Sequence, residues 1–451
     1  MIRYFLLYIT LVATTITPRS ASAQAPKANH HYAFNIQQAL EYAKANNVQV
    51  KNALLNVQAQ KETNREITAA ALQNIFGTGS VLNYLEIPVT LLPGEIAGQP
   101  AGTYVPVRFG TKYNSTVGIQ LQQTLFDGQV FVGLQARKTS VDFQLKNVEV
   151  TEELIKANIY KVYYQLVASK TQIQILDANI QRLEKLENDT RILYNNGFAE
   201  KLDEDKVSIQ LTNLNTEKVK ALNSIEIGYL GLKTLLGMPA KDTLELTEKI
   251  TEGQIEANIL ADTGFQYQDR KEYQYLELAK KLNEYNIKRY QLSYLPILNL
   301  SAAYNKNAQR NTFDLFVKDG DWFTTSFIGF NLSVPIFSGF AKDARVAKSK
   351  IDLRQTNNQL ENLRNTIDNE VQQSRINFNS AQNTLRFQKK NMELAEKVYN
   401  QTRKKYEIGT GSNIEISAAQ TDLITAQNNY LSALYGAIVA RIDYLKATGK
   451  L

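Results

Sequence analysis

The sequence has 451 residues and a formal net charge of +7. The charge is spread along the chain without a concentrated basic tract, so it gives no argument for nucleic acid. There is no cysteine, and the two histidines, His30 and His31, stand side by side near the N-terminus, which excludes disulfides, thiolate metal sites and a lipid anchor on an N-terminal Cys.

The chain opens with Arg3, an apolar run from Tyr4 to Ile16, and the small-residue pattern Ala21-Ser22-Ala23. This predicts a secretory signal peptide over 1–23. No later stretch reaches the ~18 apolar residues of a membrane helix. An exported chain of this kind is then either soluble in the periplasm or embedded as β-strands.

From residue 24 to 238 the pattern predicts a helix, two strands and a long helical hairpin. The strands fall at about 75–85 and 113–126. In the second, Val117, Ile119, Leu121 and Leu125 alternate with Thr116, Gly118, Gln120, Gln122 and Thr124, the period-2 pattern of a strand with one apolar face. Residues 86–112 hold four prolines and read as loop. The hairpin is expected over 129–236. Val148, Ile155, Ile159, Val162, Leu166, Ile173, Leu176, Ile180 and Leu183 recur in three- and four-residue steps, the seam of packed coiled-coil-like helices. No proline falls within 107–238, and proline would break such helices. A helix from Gln129 to Leu193 would reach roughly 100 Å at ~1.5 Å per residue, more than a globular core requires.

Residues 239–267 read as an inter-repeat linker or equatorial segment. After it, over 268–451, the plan returns: a helix, strands at about 296–305 and 323–337, and a hairpin over 340–448. Phe126-Asp127-Gly128 recurs as Phe337-Ser338-Gly339, at an offset of 211, and Tyr194-Asn195-Asn196-Gly197 recurs as Tyr406-Glu407-Ile408-Gly409, at 212. Ile328, Phe330, Leu332, Val334 and Ile336 repeat the alternation on the same face, and Leu360, Ile367, Val371, Phe378, Leu385, Met392 and Tyr399 repeat the seam. The fold class predicted is mainly α with membrane β: two long hairpins and four strands, in an internal two-fold repeat.

A four-stranded sheet cannot close on itself around a pore, and in a bilayer every backbone polar group must be paired, so several chains must contribute. Ile119, Leu121, Phe330 and Leu332 are the expected lipid-facing positions, next to outer-membrane lipid. Aromatic residues stand near the loop ends (Trp322, Phe323, Phe327, Tyr84, Tyr113) and at the opposite ends (Phe126, Phe337), which fits the two girdles of a membrane barrel. Phe126, Gly128, Pro335, Phe337 and Gly339 form the strand-to-helix junctions, where glycine accepts backbone angles that other residues avoid. Gly197, Gly409 and Gly411 break the long helices at the hairpin ends, with Phe198 and Thr410 beside them. The sequence contains no phosphate loop, metal-ligand cluster or nucleophile beside a histidine, so no enzyme and no cofactor is expected. Acidic pairs such as Asp203 and Asp205 read as a solvated helix face.

The order of these parts resembles the TolC-like outer-membrane efflux proteins. Ala39-Leu40-Glu41-Tyr42-Ala43-Lys44-Ala45-Asn46-Asn47 is similar to the family's opening helix, and Tyr294-Leu295-Pro296 to its approach to the second barrel hairpin. Val334-Pro335-Ile336-Phe337-Ser338-Gly339 and Lys405-Tyr406-Glu407-Ile408-Gly409 are its most characteristic stretches; the first copy has Thr124 where the second has Pro335. The resemblance implies an outer-membrane exit duct for efflux or type I secretion, extending into the periplasm of a Gram-negative cell. It also implies a homotrimer, a periplasmic adaptor docking at the hairpin tips, and an inner-membrane pump. Residue by residue, Tyr406 matches a tyrosine that holds the periplasmic entrance closed, Glu415 an acid of a negative ring there, and Asp203 an acidic partner in the same lock. The lock's basic residue is replaced by Gly411, and the ring's second acid by Ala418. The alternative reading is a periplasmic coiled-coil adaptor without a barrel; the long β-rich segment that adaptors carry beyond the hairpin is not found.

Overall fold

The structure is a computed structural model that describes residues 30–255, 264–314 and 320–451; the expected signal peptide lies outside the described residues. The described chain begins with β1 (His31–Phe34), α1 (Ile36–Asn46) and α2 (Val48–Ala69), followed by β2 (Asn74–Asn83), a small hairpin β3 (Val89–Pro93) and β4 (Tyr104–Arg108), and β5 (Tyr113–Phe126). Then come α3 (Gly128–Asn195), α4 (Lys201–Leu236) and β6 (Thr243–Leu246). The rest is α5 (Lys271–Leu292), β7 (Ile297–Arg310), β8 (Phe323–Ser333), α6 (Ala341–Glu407) and α7 (Asn413–Ala447).

The long helices start and stop on local chemistry. Asp127 caps α3 by accepting from the Gln129 backbone N–H, and Ser412 and Glu415 form a reciprocal capping box at the start of α7, which satisfies donors that a helix start leaves free. At the far ends Gly197 and Gly409 adopt φ of 79° and 75°, the left-handed region that glycine enters without steric cost. There the Phe198 amide bonds back to the Leu193 carbonyl at 2.8 Å and the Thr410 amide to the Lys405 carbonyl at 2.9 Å, closing each helix in a Schellman-type turn.

The seam residues Val148, Ile155, Ile159, Leu166, Leu176, Ile180 and Leu183 are buried, as are Leu360, Ile367, Phe378, Leu385 and Tyr399. The largest cluster lies where α1 meets both hairpins. In that layer β1 pairs in parallel with β6, His31 opposite Thr243 through Phe34 opposite Leu246. Residues 243–246, within the linker or equatorial segment, belong to this core layer, and Tyr163 donates its hydroxyl to the Phe34 carbonyl at 3.0 Å beside them.

A four-stranded antiparallel sheet runs in the order β2-β5-β7-β8. It departs from expectation in three places. Residues 86–112, read as loop, contain the β3–β4 hairpin; prolines at its positions 93 and 106 hid the pattern. β7 continues past 305 to Arg310, because Lys306 and Asn307 hydrogen-bond Thr324 and Thr325 across the sheet; polar side chains on both faces erase the alternation there. β8 stops at Ser333, short of 337, since Pro335 has no N–H to give to a ladder.

The junction glycines also differ from one another. Gly339 has φ 59°, but Gly128 is the first helical residue and is absent from the positive-φ glycines. Its constraint is space: a Cβ there would come within 2.8 Å of the Leu292 Cβ.

The three helices α5, α6 and α7 meet at Arg270, which is 2% exposed. Its guanidinium donates to Glu272 at 3.0 Å, Glu370 at 2.9 Å and the Ala447 carbonyl at 3.0 Å. Arg270→Ala would leave these acceptors facing a gap, at a cost of ~3 kcal/mol, the low end for buried pairs because both carboxylates reach water. Faster amide exchange in the last turn of α7 and the first turn of α5 is expected; unchanged exchange there would reject the clamp.

Candidate functional site

Two regions carry functional geometry: the ends of the hairpins and the faces of the sheet. At the ends, α3 and α7 bring the two hairpins together. Asn179 is fully buried between them, receiving a bond from Gln420 at 3.1 Å and giving one to Gln427 at 2.8 Å. Nearer the tips, the Tyr406 hydroxyl lies 3.1 Å from Thr190 Oγ1, with Thr190 wholly buried. Asn413 Nδ2 donates to the Asp203 carbonyl at 3.2 Å.

Asp203 thus offers a backbone carbonyl to the other hairpin, while Tyr406 takes Thr190 as its partner. Thr190 was not singled out from the sequence, although a signal existed. It falls seven residues after Leu183 in the seam, and a hydroxyl at a seam position needs a partner.

Glu415 is exposed, and its carboxylate accepts from the Ser412 amide at 3.2 Å, so it serves the helix start as well as facing solvent. Gly411 is packed close to the preceding turn: a Cβ there would sit 3.0 Å from the Tyr406 amide nitrogen and 3.2 Å from the Lys405 carbonyl carbon. A longer basic residue at 411 would have to shift this turn. Phe198 is 80% exposed, and Thr410 is exposed as well. Charges on the first hairpin pair among themselves: Glu204 accepts from Lys201 at 2.7 Å and from Arg191 at 3.2 Å. The Lys201 hydrogen bond, with Arg191 assisting, holds the Glu204 carboxyl below its usual range. A depressed carboxyl stabilises above its unfolded pKa, so this tie weakens as pH falls through the folded value.

The sheet has two unlike faces. Register places Ile75 opposite Leu121, Leu121 opposite Ala302 and Ala302 opposite Ile328; Ile119 faces Tyr304, Leu300 faces Phe330 and Leu298 faces Leu332. Ile119, Leu121, Phe330 and Leu332 thus share one face. Phe330 is 69% exposed and Leu332 65%. The other face carries Gln120, Gln122, Ser301, Asn305 and Asn331, with Asn307 accepting from Thr116 at 2.9 Å, although Phe76 and Phe327 interrupt it. β2 and β8 are its outer strands. At the helix end of the sheet Phe126 packs on Phe131 at 5.6 Å, and Phe337 on Phe340 at 5.5 Å. Pro335, Ile336 and Phe337 follow β8 in the exposed link to α6. No helix among the described residues is long and apolar enough to cross a membrane, which leaves the sheet as the apolar surface to be explained.

A family profile described as outer membrane efflux protein matches residues 269–450. The chain is 19% identical over 354 residues to the outer membrane protein TolC of Escherichia coli (strain K12), covering 76% of this chain and 71% of that protein. It is 21% identical over 346 residues to the alkaline protease secretion protein AprF of Pseudomonas aeruginosa, covering 75% and 69%. Among solved structures, CusC aligns with a TM-score of 0.75 at 15% identity over 94% of this chain and 95% of that one. The open-state channel MtrE of Neisseria gonorrhoeae aligns with 0.72 at 15% over 92% and 89%. The likeness in fold spans both hairpins and the sheet.

The Thr190–Tyr406 contact gives a direct test. In a double-mutant cycle with Thr190→Val and Tyr406→Phe, the coupling should be about 1 kcal/mol. Amide exchange between residues 403 and 413 reads it; additive effects would show that the two hydroxyls do not act as a pair.

Proposed function

Because the chain belongs to the TolC-like outer-membrane efflux proteins, we propose that it is the outer-membrane exit duct of a tripartite efflux or type I secretion system. The observation that carries this is the joining of two unlike parts: a four-stranded sheet with one exposed apolar face, and two hairpins whose first helices run 68 and 67 residues. At ~1.5 Å per residue each helix extends roughly 100 Å, a reach suited to crossing the periplasm.

Three copies close the sheet into a barrel, each giving its four strands, so that the β2 edge of one copy pairs with the β8 edge of the next and no strand edge faces lipid. Ile119, Leu121, Phe330 and Leu332 then face the acyl chains, and the Gln, Asn and Ser face lines the lumen. The hairpins of the three copies enclose the periplasmic tunnel as two related halves of one chain. A periplasmic adaptor docks around Gly197, Phe198, Gly409, Thr410 and Gly411, and through it an inner-membrane pump supplies the cargo. The exposed Phe198 beside a left-handed glycine supports a tip built for contact. The duct performs no bond chemistry; its work is positional and electrostatic.

Two experiments test this reading. Phe330→Arg and Ile119→Arg should each cost roughly 2–4 kcal/mol near mid-bilayer, seen as loss of the heat-modifiable oligomer from the outer-membrane fraction, while Gln120→Arg and Asn331→Arg assemble. Equal tolerance at both pairs would remove the barrel.

The second concerns the entrance. Three Glu415 carboxylates drawn together in a narrow pore favour cations, and low-dielectric walls strengthen that field. Glu415→Gln keeps the capping box, since glutamine serves there as well as glutamate, and removes only the charge. It should shift the reversal potential in planar bilayers toward lower cation preference and weaken divalent block. An unchanged potential and unchanged block would rule out the ring.

A further inference from the structure

The two hairpins are tied differently at one level. In the first, Asp177 on α3 and Lys218 on α4 form a direct ion pair at 2.6 Å. The positions 212 residues further along are Lys389 on α6 and Tyr430 on α7. Both are now donors, and neither offers the other a carboxylate. The acceptor comes from outside the hairpin. Glu252 stands in the short 3-10 turn Glu252–Gln254 that follows β6. Its Oε2 accepts from Lys389 Nζ at 2.8 Å and its Oε1 from the Tyr430 hydroxyl at 2.6 Å. One carboxylate thus holds both helices of the second hairpin.

The turn that carries Glu252 is itself fixed. On one side β6 is paired to β1; on the other Ile255, 2% exposed, is buried in the core layer. Tyr430 packs against the same core. The Lys389 and Tyr430 bonds, in that order, hold the Glu252 carboxyl below its usual range, so it is an anion at neutral pH and both bonds are charge-assisted. We propose that Glu252 is a positioning residue that anchors the second hairpin to the β1–β6 layer and thereby sets where its tip stands, whereas the equivalent positions of the first hairpin, Asp177 and Lys218, pair directly with each other. The proposal rests on the reading of the tips as the duct's entrance. From Lys389 to Glu407 the helix extends about 27 Å at ~1.5 Å per residue, so a small tilt at the anchor becomes a larger displacement at Tyr406 and Glu415.

The test uses the assembled full-length protein, by amide exchange and by planar-bilayer recording. Glu252→Lys places a cation against Lys389; the swap Glu252→Lys with Lys389→Glu restores the ion pair in reverse. Glu252→Lys should raise exchange in α6 between residues 386 and 407 roughly tenfold, the scale of one lost charge-assisted bond. Exchange in α3 between residues 174 and 195 should stay as it was. The swap should return α6 toward wild type and restore the wild-type distribution of conductance levels, which the single variant broadens. Exchange that stays unchanged in α6, that rises equally in both hairpins, or that the swap fails to restore would overturn the assignment. Should Glu252→Lys fail to assemble, Glu252→Gln replaces it, with the same rise in α6 expected and an unchanged α6 counting against the anchor. If the wild type passes no current, the duct reading falls, while the exchange comparison still decides whether Glu252 anchors the hairpin.

Discussion

Everything in this molecule hangs on an unbroken apolar seam. A helix of 68 residues has no reason to stay straight in water unless one face is buried along its length, since propensity alone contributes little beyond a few turns. Here the burial comes from a neighbour of the same chain, with Ile159, Leu176 and Leu183 enclosed on α3 and Ile367 and Phe378 on α6. Proline is missing from both stretches, so the hydrogen-bond ladder runs without a gap. The sheet at one end and the contacts at the other are positioned by this seam and would have no fixed separation without it.

The seam was also the most legible part of the sequence, because a heptad sustained along each long helix is hard to mistake. The strands β5 and β8 were legible for the same reason at period 2. Other features were hidden by known causes. The end of β7 is polar on both faces, so Lys306 and Asn307 show no alternation; their hydrogen bonds to Thr324 and Thr325 exist only once the strands are side by side. β6 is too short to declare itself, and its partner β1 lies at the other end of the first half. The β3–β4 hairpin sits among prolines that argue for loop.

The candidate entrance was legible in its parts and less so in its pairings. Tyr406 and Glu415 could be placed by resemblance, and the glycine breaks by their chemistry. That Tyr406 on α6 meets Thr190 on α3, and that the Asp203 carbonyl on α4 meets Asn413 on α7, depends on how one hairpin lies against the other, which one-dimensional spacing does not contain. Gly128 and Gly411 make the same point from the other side: both need to be small because of a neighbour, Leu292 in one case and the Lys405–Tyr406 backbone in the other, and the sequence shows only that they are glycine.

The pairing of β1 with β6 bears on how the chain folds. The His30 amide reaches the Asp242 carboxylate and the Ile36 amide reaches Glu248, each across 212 positions. A chain that emerges N-terminus first therefore exposes β1 well before its partner exists. The first hairpin can zip locally, but the layer that joins the halves cannot close until residue 246 has arrived, and such distant contacts slow folding. During that interval the edge of β1, with Tyr32 and Phe34 beside it, is an open strand that any extended peptide could occupy. A truncated chain ending before β6 would keep that edge permanently, so the first half by itself is expected to bind holding chaperones or to aggregate rather than to behave as an independent domain.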